Sequence, residues 1–336
     1  MRPRQVHIRS TGRYVPPTVV TAADLDRKLQ LPAGTVARES GVLERRWAQG
    51  EPASSMGAKA AQAALAAAGL RPGDVDVIVG ASGTAEQAIP GNAALIQRAL
   101  GLQDSGIPAF DVGSTCLSFL TALDVVASLV ETGRYRRALV VSADVASVGL
   151  DWRARESAMI LGDGAAAAIV EAATPDAPGE ILACELATWS AGADLTRIRG
   201  GGSGHHPREH AGDLASYADE FCLFEMDGRA VFKRSAATLP PFLEGMLAKA
   251  GLRLDAIDLV IPHQASPGAL ELMRRRLGLA PERWMTIAQD LGNTVAASIP
   301  LALDAAIAQG RLRRGDTALL LGTSAGFSVG ALAFRY

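Results

Sequence analysis

Short, almost unbroken apolar runs alternate along the chain with longer stretches in which apolar residues recur every three or four positions. Val77-Ile78-Val79, Ala138-Leu139-Val140-Val141, Leu259-Val260-Ile261 and Ala318-Leu319-Leu320-Leu321 read as strands buried on both faces. Leu117, Leu120, Leu123, Val126, Ala127 and Val130 keep helical spacing, and a second helix is predicted from Ile299 to Ala308. Strands and helices in this order predict an α/β fold with largely parallel sheets covered by helices on both faces.

The pattern repeats. Ala68-Gly69-Leu70-Arg71 and Ala250-Gly251-Leu252-Arg253 each close a helix, and each leads into a strand, Asp76-Val77-Ile78-Val79 and Asp258-Leu259-Val260-Ile261, at an offset of 182 residues. Farther on, Gly133-Arg134-Tyr135-Arg136-Arg137 and Gly310-Arg311-Leu312-Arg313-Arg314 carry the two predicted helices into the next strands. Two halves, 1–175 and 176–336, are expected to pack about a pseudo-twofold axis. Residues 191–224 break the pattern with Gly200-Gly201-Gly202-Ser203-Gly204-His205-His206-Pro207-Arg208-Glu209-His210. Its glycines and lack of carboxylate spacing favour a solvated loop over a metal site, and the segment is assigned to covering a substrate channel.

Composition narrows the class. The chain has 336 residues, 49% hydrophobic and 20% charged, enough for a large core. A net charge of −2 with interspersed signs gives no global field for nucleic acid or an anionic membrane. Three cysteines without C-x-x-C spacing suggest neither a disulfide framework nor a zinc site. Met1-Arg2-Pro3-Arg4-Gln5-Val6-His7-Ile8 lacks a signal-peptide core, and no apolar run approaches the roughly 20 residues needed to span a bilayer. A soluble, cytoplasmic protein is expected.

Candidate chemistry lies where strands end. Cys116 follows Phe110-Asp111-Val112-Gly113-Ser114-Thr115 and opens the helix from Leu117, whose N-terminal field would favour thiolate. A small buried hydrophobe is the plainer reading of the same residue. His263, in Ile261-Pro262-His263-Gln264-Ala265-Ser266, ends a strand where the repeat has Ala81, so one half carries a group its twin lacks. Asn293, in Gly292-Asn293-Thr294, reads alone as a turn or cap residue. Leu321-Gly322-Thr323-Ser324-Ala325-Gly326-Phe327 is a small-residue stretch whose backbone N–H groups could approach a substrate oxygen.

Taken with Gly162-Asp163-Gly164-Ala165 and Met226-Asp227-Gly228-Arg229-Ala230-Val231-Phe232, these motifs resemble the condensing enzymes of the thiolase superfamily, closest to the β-ketoacyl-ACP synthase III group. The resemblance spans nearly the whole chain. It implies a five-layer αβαβα thiolase-like fold, normally a homodimer. It also implies that Cys116 is acylated by an acyl thioester of CoA or acyl carrier protein, with an oxyanion hole of backbone N–H groups at Cys116, Ala325 and Gly326. His263 and Asn293 would then stabilise the enolate left by decarboxylation of a malonyl thioester, giving a 3-oxoacyl product without a metal or redox cofactor.

Departures from the family pattern point to a divergent branch, with secondary metabolism as one setting. Thr35 and Glu39 stand near the positions of the Trp and Arg that clamp the adenine of CoA, with Arg38 as the neighbouring cation. Pro267-Gly268 replaces the family's carrier-docking Arg, for which Arg274, Arg275 and Arg276 are candidate substitutes or else a solvated helix face. Glu86, in Thr84-Ala85-Glu86-Gln87, lies in the region that meets the partner subunit in this superfamily. It reads as a base for head-to-head, non-decarboxylative condensation or as a solvent-facing loop residue. Acyl transfer to an alcohol or amine, and a non-catalytic role in a condensing heterodimer, complete the alternatives.

Overall fold

The computed structural model describes residues 2–336, so the first residue of the N-terminal half lies outside the described residues. Two mixed sheets carry the architecture. The first is built from β1 (Val6–Tyr14), β2 (Val77–Gly80), β3 (Ala109–Asp111), β4 (Arg137–Asp144) and β5 (Gly164–Ala172), in the order β1-β5-β4-β2-β3. The second is built from β6 (Glu180–Thr188), β7 (Leu259–Pro262), β8 (Thr317–Ser324) and β9 (Ser328–Arg335), in the order β7-β8-β9-β6.

The orders superimpose when β2, β4, β5 and β1 are matched to β7, β8, β9 and β6. Directions match as well: β2–β4 and β7–β8 are parallel, and the other matched neighbours are antiparallel. The place of β3 is taken in the second sheet by a single parallel bridge between Val260 and Trp284. The expectation of largely parallel sheets therefore needs correction. The returning strands β5 and β9 are buried on both faces, so Ala165–Val170 and Val329–Phe334 read as continuous apolar runs regardless of strand direction.

Side-chain alternation along these strands sorts the helices into layers. Val77, Val79 and Val140 of the first sheet and Leu259, Ile261 and Leu320 of the second face a common middle layer of α3 (Ser118–Glu131) and α6 (Ser298–Ala308). Ile78, Leu139 and Val141 face outward onto α1 (Ala53–Ala67) and α2 (Asn92–Ala99). Val260, Leu319 and Leu321 face outward onto α4 (Gly228–Lys249) and α5 (Pro267–Arg276). The result is five layers, αβαβα. Its two middle helices are apolar nearly all round because they are covered by sheet on both sides.

The 191–224 segment contains more structure than its loop-like composition suggests. Thr196–Arg197 pairs with Glu225–Met226, and a helix spans Leu214–Phe221, capped by the Asp213 carboxylate on Ser216 N–H at 2.8 Å. His205 stacks on Phe221 at 4.5 Å, His210 hydrogen-bonds Ser216 at 2.9 Å, and His206 accepts from Arg208 N–H at 3.2 Å. Among the described residues, no helix is long and apolar enough to cross a membrane.

Candidate active site

Cys116 sits in a strand-to-helix elbow. A 3₁₀ turn, Thr115–Leu117, precedes α3, and Thr115 is held at φ 45°, a conformation a β-branched residue rarely adopts. The Cys116 N–H donates to Ser324 Oγ at 3.0 Å, and the Ser324 hydroxyl donates to Ser114 O at 2.8 Å. Ser324 ends β8, so the second half of the molecule braces the elbow of the first.

Burial pushes the Cys116 thiol up to about 12, and the Asp144 carboxylate adds to that rise. Hydrogen bonds from Ser324 and from the N–H groups of Cys116 and Ala325 pull in the opposite direction without overcoming it. The expected bias toward thiolate is therefore corrected. The helix end contributes at most about 2 kcal/mol, less than enclosure of the sulfur costs its anion. Cys116 rests as a thiol; the N–H groups of Cys116 and Ala325 are the donors beside its anion, and Ser324 joins them by giving up its bond to Ser114 O.

His263 follows β7 and is buried. Gly322 on the neighbouring strand allows this placement, since a Cβ there would lie 2.8 Å from the His263 Cβ. His263 Nδ1 lies 2.7 Å from Ser298 Oγ, which also receives the Gln264 N–H at 3.3 Å. Ser298 Oγ can donate to Nδ1 while it accepts the Gln264 N–H, and in that tautomer the imidazole proton stands on Nε2. Burial pulls the imidazole down to about 4, so it is neutral at physiological pH. Asn293 is fixed at its acceptor end, where Oδ1 receives the Val295 N–H at 2.9 Å. Its backbone is tied to Ile160 O at 2.7 Å and to Gly162 N at 3.0 Å. The carboxamide N–H groups are left as its free donors.

Cys116, His263 and Asn293 meet in one cavity of about 290 Å³, with Ser324 and Ala325 beside them. Thr196 and Phe224 from the ends of the 191–224 segment, together with Met226 and Phe232, form another part of its wall. Gly326 turns the chain at φ 132° just beyond Ala325 and is not part of the lining. A neutral imidazole N–H, a carboxamide N–H and backbone N–H groups around a thiol can stabilise negative charge on two different oxygens without protonating carbon.

Other sequence candidates are placed elsewhere. Glu86 caps α1, its carboxylate accepting from Ser54 N–H at 2.7 Å, and does not line this cavity. Arg274 and Arg275 both engage Glu271, at 2.7 and 2.6 Å, while Arg276 is exposed. Arg38 is exposed beside Glu39, and it is Glu39 that joins Glu156 in the cavity wall, with Arg155 paired to Glu39 at 3.0 Å. Sequence reasoning missed Ser298, Ser324 and Asp144. Small polar residues at strand and helix ends carry no local signal, although matching the two halves would have flagged Asp144 and Ser324 as a pair of equivalent positions.

Comparison with known proteins agrees with this geometry. Residues 110–190 match the family described as 3-oxoacyl-[acyl-carrier-protein] synthase III, and residues 247–336 match its C-terminal region. The β-ketoacyl-[acyl-carrier-protein] synthase III of Laribacter hongkongensis is 34% identical over 330 residues, covering 98% of each chain. That of Erythrobacter litoralis is 36% identical over 332 residues, again covering 98% of each. The crystal structure of 3-oxoacyl-[acyl-carrier-protein] synthase III from Aquifex aeolicus superimposes with a TM-score of 0.87 at 31% identity, covering 98% of this chain and 100% of that one.

Proposed function

The chain belongs to the β-ketoacyl-acyl-carrier-protein synthase III family, and from that membership we propose that it joins an acyl thioester to a malonyl thioester by decarboxylative Claisen condensation. The observation that carries the reading is the convergence of Cys116, His263 and Asn293, from three separate elements, on one cavity. Cys116 Sγ attacks the donor thioester, its proton leaves with the departing thiol, and the N–H groups of Cys116 and Ala325 receive the carbonyl oxygen as it becomes anionic. The Cys116 N–H must exchange its bond to Ser324 for that oxygen.

The malonyl thioester then places its thioester carbonyl against His263 Nε2–H and the Asn293 amide. Loss of carbon dioxide leaves its electron pair as an enolate stabilised by those donors. The enolate carbon attacks the acyl carbonyl, the C–S bond to Cys116 breaks, and the sulfur takes up a proton. Every step uses groups of this chain, and the chemistry calls for no metal or redox cofactor. The neutrality of His263 supports the assignment, because an imidazolium would quench the carbanion.

CoA or an acyl carrier protein supplies the thioesters in this reading, with Arg38 and Arg276 as exposed cations outside the cavity. A second copy of the chain is proposed against the outer edge of β3, where Phe110 is 37% exposed, with Ile89 of the β2–α2 loop 86% exposed. The test is carbon dioxide release from a malonyl thioester with the acylated enzyme. His263→Ala and Asn293→Ala should each lower it by about 10²–10³, the usual cost of one oxyanion donor. A new ester or amide formed without carbon dioxide would replace condensation by acyl transfer.

A further inference from the structure

Asn293 is held in place by a strip of backbone beside it, residues 159–163. Its N–H donates to Ile160 O at 2.7 Å and its carbonyl accepts from Gly162 N–H at 3.0 Å, a parallel bridge between Leu161 and Asn293. The other edge of the strip is held by residues 45–47. Arg45 Nη2 donates to Met159 O at 2.7 Å, Trp47 Nε1 donates to Leu161 O at 3.3 Å, and Arg46 O accepts from Asp163 N–H at 2.8 Å. The packing leaves no slack. A Cβ at Gly162 would lie 2.2 Å from Leu291 O and 3.2 Å from the Arg45 Cβ, and one at Gly292 would lie 2.4 Å from Ile160 O and 3.6 Å from the Arg45 Cβ. Met159, Ile160 and Asn293 line the cavity, so Arg45 stands behind that part of its wall.

Arg45 is an unusual brace. Its side chain is fully buried, and beyond the bond to Met159 O its Nε and Nη1 meet no acceptor among the described residues. Burial alone pulls the guanidinium down to about 10, with no carboxylate offsetting it, so it is protonated at physiological pH. A buried cation without a counter-charge costs stability, so folding is not what this residue improves. What the guanidinium does is hold one carbonyl of the strip through a charge-assisted bond, stronger than a neutral donor would make.

We propose that Arg45 is the positioning residue for Asn293: its guanidinium fixes residues 159–163, and that strip fixes the carboxamide that receives the malonyl thioester carbonyl. The proposal rests on the reading of Asn293 as an enolate donor, and it adds a residue that acts from behind the wall without touching substrate. Such a role matters because a displacement of about 1 Å at a reacting group can cost on the order of 10² in rate.

The test separates the two half-reactions. Cys116 acylation is followed by intact mass, and carbon dioxide release from a malonyl thioester is followed on the acylated enzyme. Arg45→Met keeps most of the length of the side chain but neither its charge nor its donors. It should lower carbon dioxide release on the order of tenfold or more while acylation stays within about twofold of wild type, since other groups hold the acylation oxyanion. Its denaturant midpoint should stay level or rise, because an uncompensated buried charge has been removed. Arg45→Lys, which retains a charged donor, should recover most of the lost release. Should Arg45→Met fold poorly, Trp47→Phe, which removes the neighbouring bond to Leu161 O, is read by the same ratio.

Equal losses in both half-reactions, or the same loss in Arg45→Lys as in Arg45→Met, overturn the proposal. Carbon dioxide release that Arg45→Met leaves unchanged also overturns it, while the reading of the site stands. A wild-type enzyme that is acylated and releases no carbon dioxide refutes that reading and this inference with it.

Discussion

The two elbows of the molecule are built alike and are chemically unlike. Thr115–Leu117 leads into Ser118 of α3, and Val295–Ala297 leads into Ser298 of α6; both open on a β-branched residue at positive φ, 45° and 51°. The first carries Cys116 and the second carries Ala296, which is buried. His263 stands opposite Ala81 in the match, and Asn293 opposite Gly113. The backbone strain at Cys116 is therefore not specific to the turn that carries the thiol, since its twin stores it too. The duplication supplies a scaffold, and the proposed chemistry lies in the few positions where the copies differ.

One of those differences is a cross-brace. Ser324 and Asp144 end the matched strands β8 and β4, and each reaches the elbow of the other half. Ser324 Oγ accepts from Cys116 N–H at 3.0 Å, and Asp144 Oδ2 accepts from Ala297 N–H at 2.9 Å. Asp144 Oδ1 also receives Gly83 N–H at 2.8 Å and Thr84 N–H at 2.7 Å. Burial pushes this carboxyl up to about 6.

The largest expected effect of breaking the comparison is at Asp144. Asp144→Ala strands the buried N–H of Ala297 and the part-buried N–H groups of Gly83 and Thr84, and should lower unfolding free energy by about 3 kcal/mol, read by denaturant titration. A loss below about 1 kcal/mol would remove the brace from the account.

Ser324→Ala probes the other brace. It removes a hydroxyl whose proton can turn from Ser114 O to the Cys116 sulfur as the anion forms, and should slow iodoacetamide alkylation of Cys116 about tenfold, the equivalent of one hydrogen bond to a charged group. In the wild type, alkylation should keep climbing with pH beyond 9, because the fraction of thiolate grows until the pH reaches the raised pKa. A plateau near pH 7 would show a thiol that is already activated.

The smallest effect is expected at the twin elbow. Ala296→Cys places a thiol at the matching position but not in the cavity, and mass spectrometry should find no second acyl adduct.

The sequence made the repeat legible because apolar strands and their Gly-Arg-rich approaches survive as local patterns. Cys116 and His263 were legible for the same reason, since both lie directly at strand ends. Strand direction in β5 and β9 was not, because a strand buried on both faces has one hydropathy pattern in either orientation. The protonation state of Cys116 was not legible either. A helix N-terminus can be read from sequence, but the enclosure that outweighs it is a tertiary feature, built where distant parts of the chain such as His263 and Ser324 meet around Cys116. The capping of the α1 N-terminus by Glu86 was not legible, because Ser54, whose N–H it accepts, is 32 residues distant along the chain.

Intact mass of the wild-type protein after exposure to an acyl thioester, followed by a malonyl thioester, tests the central claim most directly. The account predicts one acyl adduct, localised to Cys116 and absent from Cys116→Ala, which the malonyl thioester discharges with one carbon dioxide released per adduct. An adduct that persists in Cys116→Ala, or one discharged without carbon dioxide, would contradict it.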